Sequence, residues 1–103
     1  MSDLGNRRKL FTKCFTKLLA KMIEDGYEPM IGKEGEKHML LSLHYEGLAK
    51  DIDLTKGGIL LDKTEDHAAF GTFWESLSPL CAWGGRFSTP DGRHYSIIYG
   101  GRK

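Results

Sequence analysis

Phe11, Phe15, Leu18 and Met22 recur at i, i+4, i+7 and i+11, the rhythm of one helix face, and Leu10, Cys14 and Ile23 widen the stripe. The pattern predicts a helix over 6–25, with Gly26 where a left-handed C-terminal cap belongs. Arg7, Arg8, Lys9, Lys13, Lys17 and Lys21 fill the remaining face. A solvated helix face is the plain reading; contact with an anionic polymer or surface is the sharper one. A cationic start also opposes the helix dipole, which prefers anions there.

The periodicity then changes. Pro29, Gly32 and Gly35 break any helix between Tyr27 and Leu41, and 33–37 reads as an exposed charged loop that also holds His38 at its end. Residues 49–54 alternate as a strand does and 59–61 give a second, so a hairpin with a slightly extended loop at Lys56-Gly57-Gly58 is expected. Thr64 reads as an N-cap, with Glu65 and Asp66 in the first turn. Phe70, Phe73, Trp74 and Leu77 carry the apolar face of this second helix, Pro79 ends it, and His67 is expected to face solvent. Gly71 inside it lowers helix propensity by about 1 kcal/mol against alanine, which close packing against the sheet would explain. Short strands follow around 80–83 and 94–99, separated by a Pro90-Asp91-Gly92 turn. Together these elements predict an α+β single domain over 1–103, two helices packed on a short, mostly antiparallel sheet.

Composition narrows the classes. A chain of 103 residues supports one modest core, and a net charge of +1 gives no global pull toward nucleic acid or membrane. No run of about 18 apolar residues is present, and lysines interrupt 10–23, so neither a membrane span nor a secretory signal is expected. Synthesis in the cytoplasm without a signal of its own follows as an expectation. Cys14 and Cys81 form no C-x-x-C pair and are expected to be buried free thiols.

The chemistry-bearing residues fall in two clusters, Ser42-Leu43-His44 to Asp51 and Asp91-Gly92-Arg93-His94. Asp51 and Asp53 are two apart on a strand and share a face, with Ile52 and Leu54 turned to the core. Either carboxylate can bind a metal. Gly47 allows the chain to bring the His44 imidazole round to Asp51. His94 begins the last strand, and Asp91 in the turn before it can take a proton from an activated water; ordinary turn chemistry is the alternative for Asp91. Two imidazoles and two carboxylates are the inventory of a zinc hydrolase. Trp83-Gly84-Gly85-Arg86-Phe87 can wall a cleft in which Arg86 grips a carboxylate, or can simply be core aromatics around a glycine turn.

The order of these motifs resembles the D-alanyl-D-alanine carboxypeptidase and L-alanyl-D-glutamate endopeptidase family of zinc peptidases, in particular its short phage endolysin-like members. The S-x-H, small residue, A-x-D and D-x-x-H signatures fall on Ser42, His44, Gly47, Ala49, Asp51, Asp91 and His94. Thr64-Glu65-Asp66-His67, Trp74-Glu75-Ser76-Leu77 and Trp83-Gly84-Gly85-Arg86-Phe87 resemble further segments of the phage members, so the likeness runs from Ser42 to the C-terminus. The resemblance implies a hedgehog/DD-peptidase-like fold whose metal-site region spans about 42–99. It implies zinc held by His44, Asp51 and His94, with Ser42 orienting the ligands and Asp91 as general base. The implied substrate is the stem peptide of bacterial peptidoglycan, cut at an L-Ala–D-Glu or D-Ala–D-Ala type bond by a monomer that acts on the cell wall after release or as a virion component.

One departure stands out. Family members carry an arginine upstream of the first histidine that steadies the carbonyl oxygen, and this chain has none between Tyr27 and Leu41. Lys33, Lys37 or Arg86 are the residues available to replace it, the lysines without bidentate geometry. The alternative is a catalytically weak or inactive zinc-stabilised domain that binds cell wall or a partner. A third class, nucleic-acid binding through the basic helix, is not expected at this net charge.

Overall fold

The computed structural model describes residues 3–32, 43 and 46–103. Helix α1 spans Asp3–Glu24 and buries Phe11, Cys14, Phe15, Leu18 and Met22, the stripe its periodicity calls for. It starts three residues earlier than expected, so Asp3 meets the dipole in the first turn ahead of the arginines. Gly26 closes it at φ +91°, and the Tyr27 amide returns to the Met22 carbonyl at 3.0 Å. Ile23, expected in the stripe, is 62% exposed. It sits at the last turn, where the stripe has already run past the core.

Strand β1 (Glu28–Ile31) lies in the stretch that Pro29 and the glycines made illegible. It pairs antiparallel with β2 (Ala49–Lys56), which also pairs with β3 (Ile59–Leu61) and β5 (His94–Ile97); β4 (Cys81–Trp83) completes the order β1-β2-β5-β4. The β2–β3 connection is tighter than expected. Lys56 pairs directly with Ile59, and Gly57 and Gly58 both take positive φ, 58° and 78°, the demand of a two-residue type I′ turn. Ile52 and Leu54 are fully buried on one side of β2 while Asp51 and Asp53 keep partial exposure on the other.

Helix α2 (Thr64–Leu77) packs on this sheet through His67, Phe70, Gly71 and Trp74. That face is turned from the expected one, and it corrects the placement of His67, which is fully buried. Lys63, not Thr64, occupies the N-cap position, and its amide donates to Asp66 Oδ2 at 3.2 Å. Gly71 has a packing reason: a Cβ there would lie 2.1 Å from the Trp83 ring. Two helices on an antiparallel sheet make the chain α+β, as its pattern indicates. Cys14 and Cys81 are both free and buried; burial first, and then the neighbouring Cys14 thiol, push Cys81 up to about 12. No helix among the described residues is long and apolar enough to cross a membrane.

Candidate functional site

Strand register builds the site. Asp51 lies directly opposite His94 in the β2–β5 pairing. The backbone bonds of Asp51 turn the other way, its carbonyl accepting from Gly32 at 2.7 Å, while the Ile52 amide reaches Arg93 O at 2.9 Å. Asp51 and His94 are therefore a non-hydrogen-bonded pair, the geometry in which facing side chains come closest. His94 Nδ1 stands 3.7 Å from Asp51 Oδ1.

Asp91 arrives from the turn that feeds β5, and three residues outside it hold that turn. The Trp83 indole donates to Gly92 O at 2.8 Å, the Gly92 amide donates to Thr64 Oγ1 at 3.2 Å, and the Asp91 amide donates to Gly84 O at 2.9 Å. The approach leaves no room for side chains at the two glycines. A Cβ on Gly84 would lie 2.1 Å from Asp91 O, and one on Gly92 would lie 2.5 Å from Thr64 Cα. Gly92 thus serves contact rather than a left-handed turn. The Phe87 ring completes the bed, 5.2 Å from the His94 ring.

Asp51, Asp91 and His94 each offer a ligand atom, and these atoms all lie within 4.8 Å of one another. An ion with bonds of about 2 Å needs donors no more than ~4 Å apart, so small side-chain rotations suffice. A His/carboxylate set suits zinc and other divalent ions of that row. His44 and Ser42, the remaining residues of the implied ligand set, and Lys33 and Lys37, with His38, lie outside the described residues. Leu43 itself is buried, its carbonyl accepting from the Leu48 amide at 2.9 Å.

Arg86 is exposed and paired within the fold. Its guanidinium donates to both oxygens of Glu75, at 3.2 and 3.1 Å, and lies 5.1 Å over the Trp83 ring. That pairing raises its already high pKa. The residue just before His94 is a second arginine, Arg93, which no spacing rule singles out. Its Nη2 is ion-paired to Asp53, and it packs where a Gly32 Cβ would sit, 2.9 Å from Nη2 and 3.3 Å from Asp51 Cβ. The signal was present in the alternation of β2, which puts Asp53 on the face of Asp51 within reach of the residue preceding His94.

Beneath the cluster, His67 Nδ1 shares a 2.7 Å hydrogen bond with the Tyr95 hydroxyl. Burial, assisted by the Arg93 charge, holds the His67 pKa below its usual value against the opposing pull of the Leu61 carbonyl, Asp66 and Asp91. Burial raises the Tyr95 phenol, so the pair is neutral at physiological pH.

No family model matches the chain, and no curated protein matches it in sequence. Its fold is similar to that of the Serratia marcescens L-Ala D-Glu endopeptidase ChiX, with a TM-score of 0.63 at 14% identity over 91% of this chain and 85% of that one. At that identity the likeness establishes a shared α+β fold and nothing about residues.

Proposed function

We propose that this protein is a zinc-dependent peptidase that hydrolyses the peptide moiety of bacterial peptidoglycan, of the phage endolysin type. The observation that carries the reading is the convergence of Asp51, Asp91 and His94 within 4.8 Å, on a fold similar to that of an L-Ala D-Glu endopeptidase. In this reading Asp51 and His94 hold the metal with His44, and Ser42 orients them. The metal, when bound, polarises a carbonyl and lowers the pKa of water. The exposed Asp91 carries the proton work: it accepts from the attacking water and returns the proton to the departing amine. The fixed turn under Asp91 limits its reorientation between the two transfers, which favours catalysis by keeping the base in place.

The test is release of new amino termini from purified cell walls by zinc-loaded protein, with the products identified by mass spectrometry. Asp91→Ala should reduce release by about 10²–10⁴-fold while zinc stays bound. Equal activity of wild type and Asp91→Ala would remove Asp91 from the chemistry.

A second reading, a zinc-stabilised binding domain without activity, draws on the absence of arginine between Tyr27 and Leu41 and on the engagement of Arg86 with Glu75. It predicts that a chelator melts the fold and that no wall type yields cleavage products.

A further inference from the structure

Arg93 is an incompletely satisfied guanidinium beside a cluster of carboxylates. Of its five donors, Nη2 is held by Asp53, while Nε is buried and has no hydrogen-bond partner among the described residues. The side chain is 33% exposed, so part of it faces solvent on the side that carries Asp51. A surface ion pair of this kind contributes little to stability, and the buried Nε is shielded from solvent, so a ligand can meet only the exposed part of the guanidinium. Fixing the guanidinium is what the pair does: Asp53 holds one corner, and Gly32 leaves the space in which it lies against Asp51.

The surroundings set the chemistry of the ligand. Asp51, Asp53 and Asp91 make this face acidic, and an anionic group approaching it is repelled unless a cation receives it. A pre-oriented guanidinium suits a carboxylate, to which its solvent-facing N–H groups can donate. The Met30 side chain, opposite Asp53 in the β1–β2 register and half exposed, offers an apolar flank on the same face.

Building on the peptidase reading, we propose that Arg93 is a substrate-positioning residue. It anchors a free carboxylate of the peptide next to the scissile bond, so the site prefers acidic stem peptides over their carboxamides. Asp53 holds Arg93 in place for that contact.

The test uses the zinc-loaded full chain and three forms of L-alanyl-γ-D-glutamyl-L-lysine: both carboxylates free, the glutamyl α-carboxylate as its amide, or the terminal carboxylate as its amide. For binding, a reduced Ala–Glu linkage keeps each probe intact during calorimetry; for turnover, the ordinary amide is used. Wild type should bind the acid roughly 10- to 100-fold more tightly than one of the two amides, which identifies the carboxylate that is gripped. Arg93→Gln should lose that preference with KM raised, kcat nearly constant and zinc affinity unchanged. Arg93→Lys should restore part of it, and Asp53→Asn should weaken it.

An unchanged acid-to-amide ratio in Arg93→Gln overturns the assignment, as does a loss confined to kcat or a loss of zinc. Cleavage without any acid preference leaves the peptidase reading standing and removes the anchor. Acid-selective binding abolished in Arg93→Gln, with no cleavage, does the reverse. Probes that neither bind nor react overturn both.

Discussion

Two arginine–carboxylate pairs occupy neighbouring turns of this fold, and they are built for different ends. Arg86 grips both oxygens of Glu75, lies over Trp83 and is 59% exposed. It joins α2 to the turn after β4, and its fork is matched by one internal carboxylate. Arg93 touches Asp53 through one nitrogen, keeps Nε buried without an acceptor among the described residues, and sits near Asp51 just before β5. A guanidinium matched on both sides clasps two elements; one held through a single nitrogen and partly exposed is the one proposed above to receive a substrate carboxylate. The carboxylates share this logic, since Glu75 takes both contacts of Arg86 whereas Asp53 stands on the strand that presents Asp51.

The largest expected effect strikes the turn that carries Asp91 into Arg93 and His94, and leaves the clasp of Arg86 intact in its side chains. Gly84→Ala drives a methyl group into Asp91 O and His94 Cβ, at 2.1 and 2.7 Å. Denaturant titration should show a loss of about 3 kcal/mol, accompanied by weaker metal binding by calorimetry. A native-like denaturation midpoint and metal affinity would mean that the turn moves freely and that its bracing by Trp83, Gly84 and Thr64 is unimportant.

Next in size is the direct exchange of the two arginines. Arg93→Gln should reduce kcat/KM on acidic stem peptides by roughly 10- to 100-fold, while Arg86→Gln leaves kcat/KM within experimental error and lowers the melting temperature slightly. A result in which Arg86→Gln is the more damaging to KM would invert the comparison and assign the substrate contact to Arg86.

The smallest effect reads the electrostatic reach of each arginine through His67. Its pKa is lowered by burial and by Arg93, with no contribution from Arg86. The unfolded chain therefore binds more protons than the folded one just below pH 6.5, and stability falls as pH drops through that window toward the folded pKa. His67→Gln should flatten this part of the stability–pH curve. Arg93→Gln should make the decline shallower by letting the folded pKa rise, and Arg86→Gln should leave the slope alone. Equal slopes in all four proteins would place the acid sensitivity elsewhere.

Residues whose pattern is local were readable from sequence, and residues whose role comes from a partner across the fold were not. Helix α1 followed from an apolar stripe, and Gly26 from the cap that such a stripe requires. The facing of Asp51 and Asp53 away from the core followed from alternation alone. Strand β1 stayed hidden because its partner lies on β2, some twenty residues further on, and three of its four residues are exposed. His67 was misread because two registers of α2 fit the same helical spacing. The true one runs through Gly71, which has no side chain to count as apolar and is covered by Trp83. Arg93 was passed over because a D-x-x-H reading skips the residue between, and only the Asp53 contact gives that residue a task.

The most direct measurement of the central claim is the digestion of purified peptidoglycan by the zinc-loaded protein, with muropeptides resolved by mass spectrometry and zinc counted in the same sample. The account predicts one bound metal per chain and cleavage within the stem peptide that a chelator abolishes and Asp91→Ala suppresses, with zinc still bound in that variant. Stoichiometric zinc on a protein that leaves every stem peptide intact, or cleavage that survives both the chelator and Asp91→Ala, would contradict it.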